Sequence, residues 1–276
     1  MKISLNKIIV GAVSALATFP IVAFAADGEG SSTLESLITL GYYISSIGFL
    51  VASITMFFAV KRFGKSTLGS IFSYIFIGTG IFFVITIFQK LGGEFFGIGS
   101  ASMDIWWHLM FYMAFIFYFH GLKLLVGLGN VETSPNQGVK IGAEKTWAVV
   151  AVLVFAVLFI IPKSADSIVV AYDSSVFGVF GLHHFIAFVF AFAVGSYLLS
   201  AKKKLGMIGR AIANPMIVAI WAFGLQHVWE LLFESWKVVD VTSATGEGIE
   251  KIFLVISAIG LSYAAWCLIS FSKKAM

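Results

Sequence analysis

The sequence predicts an all-α membrane protein: a bundle of seven transmembrane helices after an N-terminal signal peptide, with the N-terminus outside and the C-terminus inside. Three observations predict it. First, 59% of the 276 residues are hydrophobic and 12% charged, and the mean hydropathy is +0.98. That is more apolar surface than a soluble chain of this length can bury, so lipid is the expected solvent. Second, the apolar residues fall in separate stretches of membrane-crossing length. Third, lysine and arginine are sorted between the loops on the two sides.

Taken in order, residues 1–25 have the form of a secretory signal. Lys2 and Lys7 lead the apolar run 8–25, and Ala23-Phe24-Ala25 supplies a small-residue cleavage site ahead of the polar run from Asp27 to Ser32. An uncleaved first helix is the alternative, because the run is long and contains Pro20. Residues 26–276 then read as one domain with spans at 34–60, 68–89, 105–125, 147–161, 182–200, 211–232 and 252–271. Most reach across a core of about 30 Å at about 1.5 Å per residue. The fourth is the shortest and is closed by Pro162. Inner loops then carry twelve basic residues, among them Lys61, Arg62, Lys202, Lys203, Lys204 and Arg210. The outer ends carry four: Lys90, Lys163, Lys237 and Lys251. This positive-inside bias agrees with the signal and points to a bacterial or archaeal cytoplasmic (inner) membrane.

The same features exclude several functions. A pI near 9.1 is explained by loop sorting, and no basic cluster with interleaved polar residues points to nucleic acid. Cys267 is the only cysteine, which rules out a disulfide framework, a zinc-thiolate site and covalently attached haem. No loop is long enough to be a catalytic domain, so activity is expected in the bundle or at its outer rim. Trp106, Trp107 and Trp236 are expected to join an aromatic belt at the outer interface.

The candidate site is a set of imidazoles at one depth. His108 on the third span, His183 and His184 at the start of the fifth, and His227 on the sixth all lie in the outer half of the membrane. His108 and His227 fall about 10 and 6 Å from the midplane by helical rise. Asp104 precedes His108 by one turn, and Glu230 and Glu234 continue the stripe of His227. Adjacent His183 and His184 diverge by about 100°, so one of them is expected to face any single site. Polar groups in hydrocarbon are costly and mark function. Imidazole suits haem iron, copper and zinc, and carboxylates suit supporting or harder-ion roles. His120 stands apart, about 7 Å inside the midplane, as a structural histidine or a relay to a quinone or proton path.

Three readings follow. In the first, two of His108, His183, His184 and His227 ligate a b-type haem that passes electrons between quinol and an external carrier. In the second, the same histidines hold copper or zinc, with Asp104 or Glu230 assisting, in an enzyme or a metal carrier. In the third, they only tie helices together in a non-catalytic subunit or permease. Asp104, His108 and the later His120 together resemble a metal-binding helix in the C subunit of copper membrane monooxygenases; the resemblance covers that helix alone. The chain departs from microbial rhodopsins, having no lysine midway along 252–271. It also lacks the paired late histidines of ceramidase-type zinc hydrolases.

Overall fold

Backbone amides cannot be left unpaired in hydrocarbon, so each apolar stretch closes its hydrogen bonds within itself as a helix. The computed structural model describes residues 30–63, 66–96, 100–128, 175–202 and 207–274. The signal at 1–25 and the span expected at 147–161 lie outside the described residues. The helices are α1 (Gly30–Phe63), α2 (Thr67–Phe96), α3 (Ser100–Leu128), the short α4 (Val176–Phe180), α5 (Leu182–Ala201), α6 (Met207–Glu230) and α7 (Ser243–Lys274). A π-helical turn, Leu231–Ser235, extends α6. Among the described residues, six helices are long and apolar enough to cross a membrane: all but α4.

These six close into a ring in which each packs on its two neighbours, in the order α1, α2, α3, α5, α6, α7 and back to α1. Aromatic contacts give the directions. Phe49 meets Phe82 and Phe63 meets Phe72, so α1 and α2 are antiparallel. Phe115 meets Phe190 and Phe119 meets Tyr197, so α3 and α5 run parallel. Consequently α1, α3, α5 and α7 begin, and α2 and α6 finish, at one end of the bundle.

Phenylalanine fills the middle of the ring. Phe82 and Phe223 stack at 4.2 Å, Phe49 lies 6.0 Å from Phe223, and Phe111 stacks on Phe115 at 4.5 Å. Because lipid offers no hydrophobic contrast, close backbone approach and buried hydroxyls hold the helices together. A Cβ on Gly48 would sit 2.8 Å from that of Ala258, so only glycine permits this α1–α7 contact. Ser262 donates to the Gly48 carbonyl at 2.8 Å and Ser257 to that of Ala219 at 3.0 Å.

Three expectations are adjusted. α7 starts at Ser243, ahead of the span expected at 252–271. Thr242 caps it, accepting from the Thr245 amide at 3.2 Å, and the Trp229 indole donates to the Gly246 carbonyl at 3.0 Å. Lys251, counted among the outer loop charges, is in consequence buried at 6% exposure. The belt tryptophans divide. Trp236 is exposed and donates to the Phe180 carbonyl, whereas Trp106 and Trp107 are buried in the core.

Candidate metal centre

The histidine end of the bundle is assembled from α3, α5 and α6. On α3 the buried side chains Trp107, Met110, Phe111, Ala114 and Phe115 follow helical spacing, which turns neighbouring His108 toward the ring interior. On α5 the first turn is fixed at both sides. Gly181 adopts φ +71° between α4 and α5, a left-handed conformation that suits glycine. A Cβ there would collide with Ser235 and Leu231 of the π turn. From α3, the Tyr112 hydroxyl donates to the His183 carbonyl at 2.6 Å. On α6, Gln226, His227 and Glu230 share the buried face immediately before the π turn.

Four buried groups converge there. One ring nitrogen from each of His108, His184 and His227 and one Glu230 oxygen all lie within 4.8 Å of one another. Glu230 is the hub. Its Oε2 lies 2.5 Å from His227 Nδ1 and 2.8 Å from His184 Nδ1, and its Oε1 accepts from Gln226 at 2.9 Å. His108 Nε2 faces His184 Nδ1 at 3.2 Å. Below them, Phe111 meets the His227 ring edge-on at 4.4 Å, so the polar cluster rests on the phenylalanine core.

The donor set fits a metal ion. Tetrahedral nitrogen ligands about 2.0–2.1 Å from zinc are about 3.4 Å apart, a separation bracketed by the 2.5–4.8 Å spread of these groups, so side-chain adjustment would bring them onto one ion. His227 Nε2 is buried and has no hydrogen-bond partner, although burying a polar atom without one is costly. With Nδ1–H given to Glu230, that nitrogen carries a bare lone pair. A carboxylate behind an imidazole is the arrangement that fixes the tautomer of a metal-ligating histidine. Three neutral imidazoles and one carboxylate would leave a divalent ion with a single net positive charge, far cheaper to bury than the free ion.

The remaining candidates are placed as follows. His183 is half-buried, its ring centroid 4.5 Å from that of His108 and 3.9 Å from that of His184; it is beside the four-group cluster. Glu234, in the π turn, is half-exposed, with Oε2 3.6 Å from His184 Nε2. The backbone of Asp104 lies in α3 one turn before His108; its side chain lies outside the described residues. His120 is away from the cluster, against Tyr74 at 4.5 Å between centroids.

Sequence reasoning missed Gln226 and a buried ion pair near the same end. Glu250 and Lys251 are each 6% exposed. Lys251 Nζ donates to Glu250 Oε2 at 3.1 Å and lies 4.2 Å over the ring of Tyr42 from α1. Glu250 Oε1 has no hydrogen-bond partner. The signal for Gln226 is its spacing of one turn from Glu230. For the ion pair it is two opposite charges at the start of a span. Comparison with protein-family models, curated proteins and solved structures finds no match.

Proposed function

We propose that this protein is a membrane-embedded metalloprotein that binds one first-row transition-metal ion, copper or zinc, through His108, His184, His227 and Glu230. The observation that carries the reading is the convergence of these four buried groups from three helices within 4.8 Å. Nitrogen with a single carboxylate oxygen is a borderline donor set, matched to zinc and copper rather than to magnesium or calcium.

The packing supports an ion over the b-type haem also expected from the sequence. Two imidazoles on a haem iron sit on opposite faces of a macrocycle, about 4 Å apart nitrogen to nitrogen at bond lengths of about 2 Å. His108 and His184 instead meet directly at 3.2 Å, and Phe111 already covers the His227 ring. The role is that of a metal carrier or metalloenzyme, with Glu230 as ligand or as the carboxylate orienting two imidazoles.

The loop charges support an outward-facing histidine end in a cytoplasmic membrane. The parallel run of α3 and α5 supports a count of seven spans.

The test is metal analysis and an absorption spectrum on one sample of full-length protein in detergent. We expect one copper or zinc per chain and no Soret band. The ion should be lost in His227→Ala and in His108→Ala, with helicity retained. A Soret band, or full metal retention in both variants, overturns the reading.

A further inference from the structure

A buried ion site in a bundle needs a route to water, and one end of this route is visible. A cavity of about 640 Å³ opens at the histidine end, lined by Glu234, Lys237, Asp240 and Ser243 among others. These residues come from the π turn, the connection after it and the first residue of α7. The cavity thus carries two carboxylates to one ammonium, so its field favours cations.

Glu234 joins the cavity to the buried cluster. It lines the cavity, and its Oε2 is 3.6 Å from His184 Nε2. The other nitrogen of the same ring, Nδ1, is 2.8 Å from Glu230 Oε2. One imidazole therefore touches two carboxylates of different exposure: the Glu234 side chain is 47% exposed and that of Glu230 is 6%. Beyond Glu230 lies the unpartnered, fully buried His227 Nε2. Glu234 follows Glu230 by four residues, in the π turn that extends α6. That turn is closed by the Trp236 amide donating to the Leu231 carbonyl at 2.8 Å. π-Helical turns concentrate at functional sites.

We propose that this cavity is the exchange port of the metal centre, and that Glu234 is the outer carboxylate that passes a divalent transition-metal cation to His184. The inference rests on the metal-binding reading above and adds a route and a transient ligand to it. Glu234 acts on the rate of exchange, whereas Glu230 acts on the affinity.

Stopped-flow measurement of Zn²⁺ uptake by the full-length apo-protein, and of Zn²⁺ release to a chelating indicator, tests this. In Glu234→Gln, uptake and release should slow together by about tenfold or more, since a transient ligand lowers the barrier in both directions and about 1.4 kcal/mol of barrier is tenfold in rate. The dissociation constant should stay within about threefold, since both rates change by the same factor. Asp240→Asn, at an exposed position, should slow uptake in the same direction. Glu230→Gln should weaken the dissociation constant instead. Exchange in Glu234→Gln within about twofold of the unaltered protein overturns the port, as does outright loss of bound Zn²⁺ in that variant. Absence of Zn²⁺ binding by the unaltered protein would mean that the metal reading itself has failed.

Discussion

Replacing Lys251 by methionine removes the only cation within hydrogen-bonding reach of Glu250 among the described residues while preserving most of the side-chain volume. Glu250 is 6% exposed. Its Oε2 relies on Lys251 at 3.1 Å, and its Oε1 already has no partner. The substitution therefore strands a buried carboxylate with neither oxygen satisfied. Breaking a buried pair from one side costs about 3–5 kcal/mol. The lost contact of the ammonium with the Tyr42 ring, 4.2 Å away, adds about 0.5–2 kcal/mol. Removing both charges, as in Lys251→Met with Glu250→Leu, leaves nothing stranded and should restore stability to within about 1 kcal/mol of the original or raise it. Reversible unfolding in mixed micelles, followed by circular dichroism with chelator present, measures all three proteins without the metal contributing. A single variant within about 1 kcal/mol of the original, or a double variant as unstable as the single one, would refute the buried-pair argument.

Other perturbations have equally definite outcomes. Glu230→Gln should weaken metal affinity about 10- to 100-fold, the usual effect of removing a carboxylate that orients ligating imidazoles; competition titration against an indicator reads it. Zinc at about 100 times its dissociation constant should stabilise the folded protein by about 2.7 kcal/mol, and chelator should reverse this in a thermal melt. Gly48→Ala should cost about 1–3 kcal/mol by overpacking α1 on Ala258. Gly80→Ala, whose Cβ would meet nothing within 4 Å, serves as its neutral control in the same unfolding assay. Tyr118→Phe should cost about 0.6 kcal/mol, the average for a hydrogen bond within a membrane bundle, by removing the 3.0 Å contact with Thr79.

What the sequence made legible follows from periodicity and depth. Apolar run length locates the spans, because a bilayer imposes one dimension on every crossing helix. The rise per residue put His108, His184 and His227 at one level, because depth depends only on position along a helix. Which neighbours share a ring is a tertiary fact: nothing in the spacing of His108 says that α3 packs beside α5. The π turn was equally hidden, since one wider turn leaves hydropathy unchanged while rotating Glu234 relative to Glu230. Lys251 shows the sharpest failure. Its burial depended on where α7 starts, and a cap at Thr242 with the Trp229–Gly246 contact moved that start back to Ser243. A charge assigned to a loop thereby became an interior one.

The ring of Phe111 edge-on to His227, backed by the stacked pair Phe82 and Phe223, has a consequence for the traffic of the proposed ion. For the proposed ion, a path from the imidazoles toward the opposite face starts through aromatic hydrocarbon, where among the described residues the Tyr118 and Thr79 hydroxyls already engage each other at 3.0 Å. On the proposed reading, the easier way in and out is the histidine end. Moving such an ion across the bilayer would first require the aromatic floor to part.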